Sequence, residues 1–572
     1  MNKNISQSVS RVLLYGVIIA LLPTIGVQAF TGQSSYNPRS QGAQVARDLV
    51  GWQTLINQPS EGCFYGAFAI TPAYARSFEP KEMAELLLGS CSLPVSGSRV
   101  TDRGPRDILA DYFGLPSDYK STLCFKPQIK NFILDLQCYL GLDHICDGLY
   151  LRFDLPIVNT TWDLALRECI TVKGVASYPA GYLFTDTLTR KNLTEDADDF
   201  FIGKEPLPGD IRESLENGRI WGRAVSNGIA ELRAVVGWNY AGDHHHAGVN
   251  FRVAAPTGTR PSSEFLFEPI IGNGKHWEVG GGVTAHGYLW CNEDAGSSLA
   301  VYLDANVVHL ARASQKRSFD LVNNGPGSRY MLLEAFADPS HDLFFGPMGP
   351  AAPNQYKRCL FPAINKTTLD VKVSFAVQAD LALKLSYHYR GLELDCGYNF
   401  FGRTAEKLHC RERFPAGLYA VKGDAQVYGF DAITNNPIPL SATQSKATLH
   451  GGQGLGNSNY RNLNADSSVV AYDSNGTLNQ LQGEFGMIPV TTVQTSNPAV
   501  LLSDADIDTR AALVPHAMSH GVFFHAGNVW CVIDNWQPFF GFGGSVEWAS
   551  GCARKNSTYS QWSLWLKGGV GF

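Results

Sequence analysis

Two groups of side chains in this sequence have the chemical types that bind metals, and two catalytic motifs are absent from it. Residues 244–246 are three consecutive histidines, of which only the first and third would share a face of a strand and reach one ion. Asp196, Asp198 and Asp199 could hold Ca²⁺, but their spacing lacks the Asp-x-Asp-x-Asp-Gly pattern of a calcium loop. Neither G-x-S-x-G nor H-E-x-x-H occurs. We therefore expect no metal site, no cofactor and no enzymatic activity.

The charged side chains follow a different pattern, because most of them alternate with apolar residues. In 148–164, Leu151 and Phe153 alternate with Arg152 and Asp154. Successive side chains of a strand point to opposite faces, so this segment is a ribbon with one apolar and one polar face. The same alternation recurs in 131–140, 229–240, 246–255, 380–390 and 392–400.

The number and length of these segments predict an all-β chain. Further strands are expected at 62–77, 122–131, 276–290, 298–310, 366–377, 418–430, 519–533, 538–549 and 559–572. The total is about 14 strands, within a range of about 12–18, and many reach the length that a tilted membrane strand requires. Strands of soluble proteins are shorter, at about 5–6 residues. The pattern predicts an antiparallel, up-and-down transmembrane β-barrel with long extracellular loops that contain short helices.

The connections also alternate in length. Short links are expected at 141–147, 241–244, 291–297 and 534–537, and long loops at 78–121, 165–218, 257–275, 311–365 and 431–518. Short turns on one side and long loops on the other are typical of an outer-membrane barrel. Two links do not fit: 390–391 is short where a long loop is due, and 403–417 is too long for a turn.

The N-terminal region has the features of an exported protein. Residues 1–29 have the features of a signal peptide. Lys3 and Arg11 precede an apolar stretch, and the small residues that follow it favour cleavage after Ala29. Residues 30–61 form a periplasmic arm or a plug, and residues 62–572 form the barrel domain with its large loop insertions.

Composition excludes several other classes of protein. The chain has 572 residues, a net charge of −6 and a mean hydropathy of −0.10. The negative net charge does not predict the basic surface that binds nucleic acid. The mean hydropathy excludes a polytopic helical membrane protein. The 57 glycines and the 11% aromatic content argue against a coiled coil or an acidic disordered chain.

The C-terminus carries a resemblance to a known class of proteins. The chain stops at Phe572 inside a strand, and one face of that strand carries Trp562, Leu564, Leu566 and Val570. A terminal aromatic residue preceded by alternating apolar residues resembles the C-terminal signal of bacterial outer-membrane β-barrels. The resemblance implies recognition by the barrel-assembly machinery, and a location in the outer membrane of a Gram-negative-type bacterium among its lipids.

If the apolar faces meet lipid, the opposite faces line a lumen. The predicted lumen residues are Asp135, Arg152, Asp154, Glu231, Arg233, Arg252, Glu278, Asp304, Asp370, Lys372, Asp380, Lys384, Glu393, Asp395, Lys422, Asp424, Glu547 and Lys567. Eleven acids against seven bases make a mixed, mildly acidic wall. Such a wall needs water or close ion pairing, because buried unhydrated charges are costly. It predicts a porin for passive diffusion of small hydrophilic solutes, or else a plugged barrel filled by paired charges.

Two other functions stay open. In size and in its layout from signal peptide to terminal Phe, the chain resembles the outer-membrane fatty-acid transporters, which implies a hydrophobic ligand carried past an N-terminal plug. The polar insertion 431–518 would suit an adhesin or a structural protein of the cell surface. The 12 cysteines allow disulfides within the chain or to neighbours, including a homo-oligomer. In composition alone, this resembles the disulfide-linked porins of chlamydia-like bacteria.

Overall fold

The structure is a computed structural model. It describes residues 32–57, 65–176, 178, 182–183, 190–204, 208–220, 222–242, 244–292, 294–336, 345–346, 349–350, 356–423, 428–430, 437–439, 447–451, 501–530 and 536–572. Within these ranges, no helix has both the length and the apolar character needed to cross a membrane.

Twelve antiparallel strands close into a barrel, each hydrogen-bonded to its neighbours in chain order. They are β1 (Tyr65–Ser77), β2 (Gln128–Gly141), β3 (Leu149–Asp163), β4 (Leu232–Ala241), β5 (His245–Ala255), β6 (Glu278–Asn292), β7 (Ser297–Ser318), β8 (Thr368–Tyr389), β9 (Leu392–Arg403), β10 (Ala517–Val529), β11 (Gln537–Ala549) and β12 (Gln561–Gly571). The ring closes where β1 pairs with β12, from Ala67 opposite Gly571 to Ser77 opposite Gln561. Closure satisfies every strand edge, as hydrocarbon surroundings require.

The wall is at the lower end of the predicted range of strand numbers. The sheet contains fourteen strands in all, of which two lie beside the ring: Arg223–Ile229 pairs with β3, and Glu406–Arg411 pairs with β8. Two expected wall strands have other positions. The segments 366–377 and 380–390 are parts of the single long strand β8. The segment 418–430 contributes Tyr419–Val421 to a small sheet outside the barrel and Tyr428–Phe430 to a separate two-stranded pair.

The long β8 also explains the link that did not fit the loop pattern. Because β8 runs through the full height of the wall, the 390–391 turn lies on the same side of the barrel as the other short turns. The start of β1 and the end of β12 lie on that side as well. The long connections, including 404–516 between β9 and β10, all lie on the opposite side, which is the extracellular side of such a barrel.

The two faces of the wall differ as the alternation predicts. Ile70, Phe132 and Leu564 are 42%, 52% and 55% exposed on the outer face, whereas Ala69 and Asp135 on the inner face are buried. Aromatic residues border this apolar band: Tyr74, Trp277, Trp548 and Trp562 on the loop side, and Trp238, Tyr240, Trp290, Tyr387 and Tyr389 on the turn side. Such girdles mark the two membrane interfaces. Trp162, near the loop-side end of β3, is not part of a girdle, because it is buried on the inner face.

The long loops fold together into a cap over the extracellular end. Its strands are Ser92–Ser96, Ile108–Leu109, Lys120–Cys124 and Arg167–Val172 in one sheet, and Leu332–Phe336, Tyr356–Pro362 and Tyr419–Val421 in a second. Shorter pairs are Asp320–Leu321 with Ile507–Asp508, Phe345–Gly346 with Gly349–Pro350, and Tyr428–Phe430 with Pro437–Pro439. Apolar side chains from these loops form one large buried core, so the cap is a packed layer.

Short helices complete the chain. They are α1 (Val45–Leu49), α2 (Pro80–Leu88), α3 (Ala197–Phe201) and α4 (Ala363–Thr367), with single 3₁₀ turns at Ala110–Phe113, Arg190–Asn192, Ser328–Tyr330, Asp504–Asp506 and Ala553–Lys555. Helix α2 begins with Pro80, whose fixed φ suits a first helical position. It ends at Gly89, which has a φ of 80° and donates its N–H to the Glu85 carbonyl. Among the helices in the described residues, α1 alone lies inside the barrel.

Candidate functional site

The N-terminal segment 32–57 lies inside the barrel, and we call it the plug. It starts in the cap, where the N–H of Gln33 donates to the Leu86 carbonyl at 2.9 Å. It ends near the short turns, where Asn57 Oδ1 accepts a hydrogen bond from the Tyr139 hydroxyl at 3.0 Å. The described residues of this segment therefore run along the inner face of the wall from the cap to the short turns.

Asp48, at the centre of the plug, is held by bases and amides of the wall. Its carboxylate accepts from Gln137 Nε2 at 2.8 Å and lies 3.3 Å from Arg152 and 3.4 Å from Arg233. Lys567 Nζ donates to the Asp48 backbone carbonyl at 3.3 Å. All these side chains are largely buried, where hydrogen-bonded ion pairs are strong because little water screens them. The Asp48 carboxylate thus joins the plug to three strands, β2, β3 and β4, and its backbone carbonyl joins the plug to β12.

Other contacts fix the plug along its length. Ion pairs join Arg39 to Glu547 at 3.1 Å and Arg47 to Asp135 at 3.5 Å. Within the wall, ion pairs join Arg152 to Asp154 at 2.8 Å and Arg233 to Glu231 at 3.2 Å. Trp52 of the plug is fully buried, with the Lys567 ammonium 4.4 Å from its ring centroid. The charges of the lumen therefore pair with the plug and with one another.

A second buried charge cluster lies on β8 and β9, away from the plug's ion pairs. Lys384 Nζ is 3.0 Å from Glu393 and 3.1 Å from Asp395, and all three side chains are inaccessible or nearly so. The Lys384 ammonium also lies 4.4 Å from the centroid of the Tyr302 ring. His525 Nδ1 approaches Asp395 at 3.5 Å. This cluster crosslinks neighbouring strands inside the wall.

Most of the predicted lumen residues face the interior. Those on the inner face are Asp135, Arg152, Asp154, Glu231, Arg233, Arg252, Glu278, Asp304, Asp380, Lys384, Glu393, Asp395, Glu547 and Lys567. The ion pairs bring together three groups of them: those around Asp48, those around Lys384, and Glu547 with Arg39. The remaining inner-face residues belong to the same lining without a direct ion pair to the plug.

Asp370 and Lys372 do not line the lumen, which corrects their assignment. Both are exposed on the outer face of β8, above the apolar band. The pairing of β7 with β8 shifts between Val308 and Leu310 and again before Ala313. The first shift adds a residue to β8 and the second adds one to β7, so the inward-facing parity reverses once in each strand. The even positions that face the lumen below the shifts therefore face outward above them.

Three other predicted site residues lie either outside the wall or outside the described residues. Lys422 is buried in the cap, directly after the strand Tyr419–Val421, with its ammonium 3.1 Å from the centroid of the Tyr182 ring. It lies outside the lumen because its segment is part of the second cap sheet. Asp424 and Ala29 lie outside the described residues, so the predicted lumen position and the signal cleavage stay predictions.

The candidate metal ligands have other contacts. His246 faces inward and stacks beside His286, with ring centroids 5.1 Å apart. Asp196 accepts a hydrogen bond from the Asp199 N–H and so caps α3. In the part of the chain that the structure describes, no three His, Cys, Asp or Glu side chains form a group able to hold a metal ion.

The predicted C-terminal signal lies on the outer face of the last strand. Leu564 and Leu566 are about half exposed toward the lipid side. Phe572 and Gly66 exchange two backbone hydrogen bonds, at 2.8 and 2.9 Å, so the terminal residue helps to close the ring. Trp562 packs against Tyr74 of β1. Recognition by the assembly machinery stays a prediction.

The cysteines in the described residues are free thiols. They are Cys91, Cys124, Cys138, Cys146, Cys169, Cys291, Cys359, Cys396, Cys410 and Cys552. Cys138 and Cys396 lie on the outer face of the wall, as the alternation predicts. Cys63 and Cys531 lie outside the described residues, and disulfides remain a prediction.

Sequence reasoning missed the individual residues of the plug that make the site. Arg39, Arg47, Asp48 and Trp52 lie in a segment without strand or helix periodicity, so nothing assigns a face to them. The sequence indicates these residues only indirectly. The segment contains three charged side chains, and the predicted lumen beside it has charges that need partners.

A pair of carboxyl groups joins the cap to the last strand near the top of the plug. The Ser560 hydroxyl is 2.7 Å from Glu79 and 3.2 Å from Glu82. Burial, together with the neighbouring charge of Glu79, raises the pKa of Glu82 to about 7. The folded state therefore binds a proton that the unfolded chain has lost.

The sign of this shift predicts that the cap is more stable in acid. Between the ordinary glutamate pKa and about 7, the folded state holds more protons, so stability falls as pH rises through this window. We expect Glu82→Gln to abolish the fall, leaving the variant more stable than wild type at pH 8. The measurement is the midpoint temperature for loss of protease resistance at pH 4, 6 and 8. Glu85→Gln on the same helix is the control, and an unchanged slope in Glu82→Gln would contradict the assignment.

Comparisons with known proteins find likeness only at the level of structure. No protein family and no curated protein matches the sequence. An outer-membrane channel of Pseudomonas putida F1, described as COG4313, is 10% identical with a TM-score of 0.31, over 89% of this chain and 96% of that one. A FadL homologue of Pseudomonas aeruginosa is 6% identical with a TM-score of 0.24, over 96% and 99%. A mutant of TodX, a monoaromatic hydrocarbon channel, is 10% identical with a TM-score of 0.27, over 95% and 98%. These likenesses are too distant to assign a function.

The fold and the site define the class of the protein from their own geometry. A closed antiparallel barrel has an apolar outer band, aromatic girdles, short turns on one side and a polar interior. The chain is therefore an outer-membrane β-barrel of a Gram-negative-type bacterium, with its lumen filled by its own N-terminal segment.

Proposed function

We propose that the protein is a plug-gated transporter of the outer membrane, in which residues 32–57 must move for a small molecule to pass. The observation that carries this proposal is the position of the plug, which is bonded to the wall from the cap to the short turns. A porin for passive diffusion needs a continuous water-filled path. Here several of the charges that would hydrate such a path, among them Arg152, Arg233 and Glu547, are paired with the plug. Transport, rather than catalysis, is the activity that this architecture supports.

The ligand that we propose is a small hydrophobic molecule. Where the plug enters the cap, Tyr36 contacts Trp162 and Phe267, with ring centroids 5.6 and 5.8 Å apart. This aromatic cluster is continuous with the apolar core of the cap. A ligand that comes from outside reaches apolar side chains before it reaches the ion pairs around Asp48. Burial of apolar surface stabilises such a ligand by about 25 cal/mol per Å².

Uptake of two probes tests this proposal. We expect cells that carry the protein to accumulate toluene, and reconstituted vesicles to swell slowly in arabinose. Trp162→Ala should reduce the toluene uptake about two- to tenfold, since aromatic contacts contribute about 0.5–1.5 kcal/mol. Trp548→Ala, on the lipid side, is the matched control and should behave as wild type.

The opposite pattern would contradict the proposal. Fast swelling in arabinose, with no toluene uptake above that of cells without the protein, would identify an open channel for hydrophilic solutes. Loss of cell adhesion in a variant lacking 431–500, with unchanged uptake of both probes, would instead favour the adhesin.

A further inference from the structure

Exposed basic residues cluster on the outer face of the barrel, just above the apolar band. They are Arg312 and Lys316 on β7, Lys372 on β8, and Lys407 on the strand Glu406–Arg411. We call these four residues the outer basic patch. Among the described residues, none of the four has an acidic side chain within ion-pair distance. They take no part in the plug or in the cap core.

The strand register places these side chains on one continuous surface. Lys372 lies opposite Ser314 on one side and Cys410 on the other, and Lys407 lies opposite Ser374. Between β8 and the strand Glu406–Arg411, the Ser374 hydroxyl is 2.7 Å from His409 Nε2. Two acids border this face: Asp370 lies opposite Lys316, and the exposed Glu412 accepts a hydrogen bond from the Asp370 N–H at 3.3 Å. Four bases against two acids leave the surface positive.

The height of the patch matches the headgroup region of the outer leaflet. Val307 on β7 and Val377 on β8 are 54% and 43% exposed and form the top of the apolar band. The Ala311 N–H donates to the carbonyl of Trp277, an aromatic residue of the loop-side girdle. Arg312 therefore lies level with the membrane interface. At about 3.3 Å per residue along a tilted strand, Lys372 is about 10–15 Å above the band.

We propose that the outer basic patch binds the phosphate groups of a phosphorylated glycolipid in the outer leaflet. Arginine and lysine are the side chains that recognise phosphate, and basic clusters beside a membrane-spanning segment attract anionic headgroups. The apolar band below supplies the surface on which the acyl chains of the same lipid lie. A free phosphate ion would use the charges alone, whereas the lipid uses both features. This inference is independent of the plug and of the transported ligand.

Lipid binding by the purified full-length protein tests the proposal. Native mass spectrometry measures the retention of bisphosphorylated lipid A and of the same lipid after removal of both phosphates. We expect wild type to retain the phosphorylated form, and Arg312→Gln/Lys372→Gln/Lys407→Gln to lose about tenfold or more in affinity for it. The control is Lys81→Gln/Lys173→Gln/Lys191→Gln, which removes the same charge from the cap and should bind as wild type. Heat-modifiable mobility on a gel confirms that each variant is folded.

Several results would overturn the proposal. One is equal binding by the patch variant and the control variant. Another is equal retention of the phosphorylated and dephosphorylated lipids by wild type. Displacement of the lipid by millimolar inorganic phosphate would assign the patch to soluble anions instead.

Discussion

Removal of residues 33–56 is expected to convert a nearly closed barrel into an open channel. These residues fill the lumen and contact the wall through Asp48 and the ion pairs of Arg39 and Arg47. A barrel of twelve strands has an interior wider than its own side chains fill when nothing else occupies it. We expect the single-channel conductance in a planar bilayer to rise about tenfold or more.

The barrel itself should survive this deletion. Its ring closes through backbone hydrogen bonds between β1 and β12, which the plug does not provide. Water that enters the lumen hydrates Asp135, Glu231 and Glu547 in place of their lost partners. Heat-modifiable mobility should therefore persist, although the variant unfolds at a lower temperature than wild type.

Smaller changes distinguish a plug that is bonded from one that only fills space. Asp48→Asn keeps the shape of the side chain but leaves Arg152 and Arg233 without one of their acids. We expect frequent brief openings in this variant. Asp198→Asn on α3, in the cap, should conduct as wild type. Conductance unchanged by the deletion would mean that the pathway does not pass through the space that the plug occupies.

The sequence predicts the wall well because the physics of a barrel strand is local. Each strand must present apolar residues to lipid and polar ones to the interior, so alternation alone assigns a face to residues such as Asp154 and Arg233. The same rule accounts for the glycine content. Gly237 lies on the inner face, where a Cβ atom would be 2.3 Å from the ring of Tyr150, so only glycine leaves space for that aromatic ring.

Local alternation fails where the register depends on a neighbouring strand. Asp370 and Lys372 continue the alternation of β8, yet the shifts between Val308 and Ala313 reverse their face. Residues 366–377 alone do not predict this bulge, because it arises from the pairing of β8 with β7. The contacts of the plug escape prediction for a related reason: its conformation is set by partners distant in sequence, such as Gln137 for Asp48, and not by a repeat of its own.

Substitution of Lys384 by Met is expected to destabilise the barrel by about 3–5 kcal/mol, as removal of one partner of a buried ion pair does. Lys384 is fully buried between Glu393 at 3.0 Å and Asp395 at 3.1 Å. Without the ammonium, two carboxylates remain on one face of β9. The free energy of unfolding in urea, measured for the barrel in vesicles, checks this. Lys407→Met, on an exposed surface, should change it by less than about 0.5 kcal/mol.

A combined variant separates the loss of an attraction from the burial of unpaired charge. Lys384→Met with Glu393→Gln and Asp395→Asn removes the whole cluster at similar volume. Because replacing a complete buried ion pair is often neutral, we expect this variant to recover most of the stability lost by Lys384→Met alone. His525 Nδ1, 3.5 Å from Asp395, stays beside a neutral amide of the same shape. If the combined variant were as unstable as the single one, the cluster would act by filling space beside Tyr302 and not through its charges.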